Sequence, residues 1–398
     1  MTLDNFPNAD PSIVLDFQKS RQLDPRITFT RASGGGAVGT GSGNVDGQVY
    51  EFQENVPRLT SQGLLIEDSR TNLVIYSEDL TQSNWIKLGS TITSNAVAAP
   101  NGLTTADKMS STAGASLQAV QQAARNLTDA AQYTRSVFFK AAELTSVGMQ
   151  IGGTTEGTIF CVVDLSNGTS TGDGVVTAYQ DGWYKLERTF TMQGTLNDFY
   201  LRLPNSSPTN DGVYIWGAQL EEGAFPTSYI PTTTAAVTRA ADVCQITGAN
   251  FSSWYNQDEG TFAFEYNAPN KSNDNAQLVW AARSLNSVAR WDFYTGNSGS
   301  SAATFDSSSG RACAFLTRAA AVSGKYAWAA KVNDFALSQN GNTALTDSSG
   351  AMNSTNDIEV LQFTSGSGLR LNGHIARFAY YNTRLSDEAL QALTTQQT

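Results

Sequence analysis

The sequence predicts an all-β protein: two antiparallel β-sandwich or jelly-roll domains behind an irregular N-terminal segment, closed by a short C-terminal helix. Three observations predict it. Short runs such as SIVLDF, RITFT, TIFCVVDL, WYKLERTFTM, GTFAFEYNA and HIARFAYYN recur along most of the chain. Many alternate apolar with polar residues, and a period of two marks a strand with one buried face. Clusters such as SNGTSTGDG, PNSSPTNDG, QNGN and TSGSG separate these runs, supplying the positive-φ residues that tight hairpins need. Charged residues make up 15% of the chain against 40% hydrophobic. That is below the roughly 25% charge of ordinary soluble domains, so Ser, Thr, Asn, Gln and Gly must cover much of the surface.

In chain order, residues 1–70 hold a few strands broken by the glycine-rich SGGGAVGTGSGNVDG, read as a long loop or flexible arm. Residues 71–232 carry the strands of a first sandwich. Residues 233–244 read as an extended linker, because AFPTSYIPTTTAAVTRAADVC joins two prolines to a Thr/Ala run. Residues 245–398 supply a second sandwich. Two stretches have helical composition, SLQAVQQAARNL and the C-terminal SDEALQALTT. In the second, Ser386 is placed to cap, and Asp387 and Glu388 meet the positive end of the helix dipole.

Most enzyme chemistries lack their residues. Lys plus Arg number 25 and Asp plus Glu 36, a net charge of −11, which disfavours nucleic acid as a partner. No long apolar run suggests a membrane helix, and no secretory signal is visible at the start. Cys161, Cys244 and Cys313 lie far apart without C-x-x-C spacing, so they read as reduced, mostly buried thiols. The single histidine, His374, sits on an alternating run with Ala376, Phe378 and Tyr380 and reads as a hydrogen-bonded structural residue. GGGAVG at 34–39 mimics a dinucleotide fingerprint, but no helix can follow it. GTSTG at 168–172 mimics a nucleophile elbow, yet turn residues and a strand follow it. The adjacent acids Glu67-Asp68, Glu78-Asp79 and Glu221-Glu222 would face opposite sides of a strand, whereas glycoside hydrolysis needs two carboxyls across one cleft. No catalytic and no metal-ligating residue is therefore assigned, and no cofactor. A structural calcium would have only the turn residues Asp173, Asp181, Asp198 and Asp211 to draw on, without a calcium-loop pattern.

Aromatic residues make up 10% of the chain. Tyr214 with Trp216, and Trp291 with Phe293, share strand faces and are the candidate sugar-stacking residues. Core packing competes for each of them, because a sandwich interior must be filled with large side chains. If Trp291 stacks on a ligand, replacing it by alanine weakens attachment and spares the fold.

Three segments resemble bacteriophage virion proteins. SIVLDFQKSRQLDPRITFTRAS with NVPRLTSQGLLIEDSRTNLVIYSEDLTQSNW looks like the N-terminal signature of phage tail and capsid-associated proteins. AAPNGLTTADKM, YTRSVFFKA, DGWYKLERTF and YIWGAQLEEGAFPTSYIPT resemble a carbohydrate-binding-module-like jelly roll. GTFAFEYNA through LNGHIARFAYYNTRLSDEALQAL resembles a concanavalin A-like, laminin-G-type sandwich. The resemblance implies a strand, not a helix, at SLQAVQQAARNL. It also implies a non-enzymatic virion protein assembled in the bacterial cytoplasm, with residues 1–70 docking to other virion proteins and the sandwiches contacting host-surface glycan. A tail-fibre homotrimer is the expected form. A capsid decoration or head-fibre protein is the alternative, and a polysaccharide depolymerase a further one.

Overall fold

The computed structural model describes residues 10–20, 22–38, 47–154, 157–194, 196–205, 207–269, 277–285, 290–295, 300–307, 310–311, 316–319, 322–350, 358–364 and 370–395. It is almost entirely antiparallel β-structure. The chain divides into two compact units, one drawn from residues 1–32, 54–68 and 240–398 and the other from 33–53 and 69–239.

The second of these is a jelly-roll sandwich. Among the described residues, one sheet runs Val175–Ala178, Trp183–Thr191, Gln132–Ala141, Gly212–Glu222, Ala106–Ser111, Ser90–Val97. Its partner runs Thr169–Thr171, Gly157–Asp164, Ser146–Thr154, Leu196–Arg202, Ala119–Asn126, Trp85–Leu88. Alternation places Val137, Phe139, Leu186, Ile215, Met149 and Leu201 in the shared core. Ala119–Asn126 is a strand between Leu196–Arg202 and Trp85–Leu88. Its helical composition is overridden because both its edges find ladder partners and Val120 is fully buried. The glycine run is part strand as well: Gly35–Val38 pairs with Val49–Phe52. A Cβ on Gly36 would lie 2.7 Å from the Tyr229 carbonyl oxygen, so only glycine allows this approach. The GTSTG stretch contains the short strand Thr169–Thr171, paired with Gly157–Asp164.

The other unit is a second sandwich, and the N-terminal stretches 1–32 and 54–68 belong to it. One sheet runs Leu345–Asp347, Asp334–Gln339, Ser323–Lys331, Glu259–Asn267, Gly373–Tyr381, Gly63–Ile66, Leu59–Thr60. Ile13–Asp16 lies beside Gly63–Ile66 on the same edge of Gly373–Tyr381, the two pairing with successive parts of it. The facing sheet places Val243–Thr247 between Thr28–Thr30 and Val360–Gln362. Residues 1–70 are therefore no separate segment: Ile13, Leu15, Phe17, Leu64 and Ile66 need a core and join this one. The stretch 233–244 is not a free linker either. Val237–Arg239 pairs with Arg70–Asn72 in the jelly-roll unit, and Val243 opens a strand of the other.

Charge fastens the same segments. Arg58 donates to Glu67 Oε2 and to Asp242 Oδ2, each at 2.5 Å, and Arg31 reaches Asp242 Oδ1 at 3.3 Å. All four residues are buried. The helix Asp387–Thr394 starts as expected, with the Ser386 hydroxyl accepting from the Ala389 amide. It packs on an alanine face in which Ala263 lies directly across from both Ala327 and Ala379.

Candidate functional site

Three of the four candidate aromatics are core residues. Trp291 is 1% exposed, with its ring centroid 5.3 Å from Phe262 and 4.9 Å from Trp328. Phe293 is fully buried 4.6 Å from Phe264. Neither can meet a ligand. Trp216 lies on the outer face of its sheet yet is also fully buried, because Tyr229 of the same chain stands 4.5 Å away from it. The Tyr229 hydroxyl is held by Ser77 Oγ at 2.7 Å and donates to Glu78 Oε1 at 3.0 Å. Half-buried Tyr214 packs against this cluster. The aromatic face that a sugar would use is thus filled from within.

The remaining candidates also serve structure. His374 is half-buried, and not on the face shared with Phe378 and Tyr380. A bulge at Ala376 breaks the alternation between Arg377 and Ile375, so Ile375 takes the core side and His374 faces away from it. Its Nδ1 has no hydrogen-bond partner among the described residues, contrary to the expected bonded histidine. Burial lowers its pKa to about 4, with Glu67 opposing the shift and Arg58 adding to it. Each adjacent acid pair separates. Glu67 joins Arg58 while Asp68 pairs with Arg370 at 2.8 Å. Asp79 caps Thr81, and burial raises the Glu78 carboxyl pKa. Glu221 is buried, accepting from Thr227 N at 2.9 Å, and Glu222 is exposed. Ser170 donates to the Gly174 carbonyl. Cys161 and Cys244 are buried thiols, the Cys161 Sγ donating to the Gly172 carbonyl at 2.8 Å, and Cys313 lies outside the described residues. Among the described residues no three His, Cys, Asp or Glu side chains cluster to hold a metal, Asp173, Asp181, Asp198 and Asp211 included. No helix there is long and apolar enough to cross a membrane.

A site that the strand pattern did not single out lies at one end of the second sandwich. Residues 253–258 leave the one-turn helix Ala249–Ser252 and wrap the Tyr380 hydroxyl before Glu259–Asn267 begins. That hydroxyl accepts from Asn256 N at 3.2 Å and lies 3.1 Å from the Asn256 and Glu259 carbonyl oxygens. Asn256 is fixed at both ends, Nδ2 donating to the Asn382 carbonyl at 2.8 Å and Oδ1 accepting from Asp258 N at 3.0 Å. The result is an open groove of about 480 Å³, lined by Ser12, residues 253–258 and Asn382. Beneath it Tyr255 stacks on Phe251 at 4.6 Å and on Tyr380 at 5.3 Å, both at 28°. Its ring faces are thereby occupied, and recognition must use polar atoms. Below the surface, Tyr255 Oη and Gln257 Oε1 are closed off from solvent and have no partner among the described residues. The available signal was adjacent aromatics amid amides and hydroxyls, SSWYNQD, in a connection and not in a strand.

No family model matches the chain, and no curated protein matches it. Solved structures similar to it include the Ruminococcus gnavus IT-sialidase CBM40 bound to alpha2,3 sialyllactose, at 19% identity and a TM-score of 0.31, covering 37% of this chain and 88% of that one. The LG1-3 region of the laminin alpha2 chain has 11% identity and a TM-score of 0.26, covering 67% and 66%. Trypanosoma rangeli sialidase in complex with the inhibitor DANA has 9% identity and a TM-score of 0.30, covering 90% and 77%. At such scores these likenesses carry no argument about ligand or activity.

Proposed function

We propose that this chain is a non-enzymatic, carbohydrate-contacting surface protein and, following the resemblance of its sequence, a phage virion component that meets the host surface, with a homotrimeric tail fibre as its form. The single observation behind the binding reading is the groove at residues 253–258. Carboxamides and hydroxyls around a rigid aromatic floor are the groups that read sugar hydroxyls, and a floor already stacked loses little freedom on binding. Among the described residues one carboxylate, Asp258, lines the groove, short of the pair that glycoside hydrolysis ordinarily needs. Such a site can hold a sugar without cutting it. Modest single-site affinity suffices where many copies act together on one particle.

The test is a glycan array and a host-cell adsorption assay with the intact protein, run beside a sugar-release assay. Binding without release is the expected result. Silence on all glycans removes the carbohydrate reading, and steady release of reducing ends revives the depolymerase. Antibody labelling of particles separates a tail position from a capsid one.

A further inference from the structure

The outer face of the sheet around Gly373–Tyr381 carries two rows of side chains in direct register. Ala327, Ala263, Ala379 and Val14 stand side by side on four neighbouring strands, and the helix Asp387–Thr394 packs over the alanines. Two residues away along each strand, on the same face, stand Lys325, Glu265, Arg377 and Asp16. Charge therefore alternates across the sheet, but the row is only half closed. Arg377 Nε lies 3.3 Å from Asp16 Oδ2. Lys325 and Glu265, half-buried and directly opposite one another, make no side-chain ion pair or hydrogen bond among the described residues. Both line an open polar groove of about 470 Å³, together with Gln18, Gln62 and Asn267, a size usual for small-ligand sites. We infer that this groove takes a sugar bearing an acid group, Lys325 meeting the anion and Glu265 accepting from its hydroxyls. The inference rests on the reading of the chain as carbohydrate-contacting, and not on the groove at 253–258.

Opposite charges set directly across an antiparallel pair ordinarily close on each other. Left apart, the ammonium still needs an anion and the carboxylate still needs donors, and one ligand that brings both satisfies them together. The two strands lie about 5 Å apart, and the acid group and ring hydroxyls of a hexuronate fall within that span. The rim adds neutral partners. Asn267 Nδ2 donates to Gln62 Oε1 at 2.8 Å, which leaves one amide donor and one amide acceptor for further hydroxyls. Tyr266 also lines the groove but offers no ring face, being 1% exposed and stacked 5.5 Å from Tyr326. Recognition therefore runs through charge and hydrogen bonds. The groove at 253–258 has Asp258 and no Lys, Arg or His in its lining, so of the two only this one offers an acid group a cation.

The experiment titrates the full chain with methyl glucuronide, its uncharged amide and methyl glucoside, which share a ring and differ at the acid group. The expected result is a preference for the glucuronide of about tenfold, the scale of one charge-assisted contact. Lys325→Met should abolish the preference and Lys325→Arg should keep it. Lys331→Met, which removes the same charge at the other end of the same strand, should leave it intact. Equal binding of all three glycosides, or a preference untouched by Lys325→Met, overturns the inference while the carbohydrate reading stands. A preference lost equally in Lys331→Met reports general charge attraction and overturns it as well. If none of the three binds, the inference falls alone; silence on the glycan array too removes the carbohydrate reading with it.

Discussion

Replacing Trp291 by alanine removes the ring that fills the space between Phe262 and Trp328. Large-to-small changes at such sites cost about 3–5 kcal/mol, so denaturant unfolding should show a loss of that size, and any loss of attachment follows from misfolding. Arg135 predicts the opposite sign. It lies inside the jelly-roll core with its guanidinium 4.5 Å from the Phe199 ring, donating to the Gln150 and Asp198 carbonyls. Burial lowers its pKa to about 9, partly offset by Asp198. Its Nε and Nη2 lack partners among the described residues. Arg135→Met should therefore be neutral or stabilising, by up to about 1–4 kcal/mol in a denaturant titration. His374 sets an acid limit. Its pKa falls from 6.5 to about 4 on burial, so the folded state binds a proton less readily than the unfolded one. Stability is then full above about pH 6.5 and declines as the pH drops toward 4, by up to about 3 kcal/mol. Glu67 and Arg58, which face it, set the balance. His374→Gln should flatten the stability profile across that window.

The helix Asp387–Thr394 shows how an element depends on what faces it. The strand Ser323–Lys331 alternates Tyr326, Trp328 and Ala330 into the core with Ala327 and Ala329 outward, and the outward alanines let the helix sit close. Ala329→Leu should overpack this contact and cost about 1–3 kcal/mol, seen as a lowered melting temperature. The same strand explains what was legible. Period-two alternation gave the fold class because a half-buried strand writes its burial directly into residue types. It did not reveal which aromatic faces stay open, because a sheet covered on both sides reads as aromatic on both sides; Trp216 beneath Tyr229 is such a residue. Ala119–Asn126 became readable as a strand only through family resemblance, since its ladder partners lie far away in sequence. The bulge at Ala376 changes parity without leaving a mark in HIARFAYY. The groove at 253–258 escaped because a connection carries no period to read.

At the scale of the molecule, the decisive fact is that the sandwich holding the groove is assembled from three separated stretches of chain. Expressed alone, residues 240–398 would lack Ile13–Asp16, Thr28–Thr30, Leu59–Thr60 and Gly63–Ile66. Asp242 would be buried without Arg31 and Arg58, a loss worth about 3–5 kcal/mol by itself. That fragment should show no cooperative transition by circular dichroism, whereas residues 33–239, which contain the whole jelly-roll unit, should keep one. Interleaving of this kind also orders events during synthesis. Ile13–Asp16 leaves the ribosome long before Gly373–Tyr381, the strand it must pair with. Until then its backbone is an open edge able to pair with another chain. Pauses in elongation between those two points should therefore turn into aggregates.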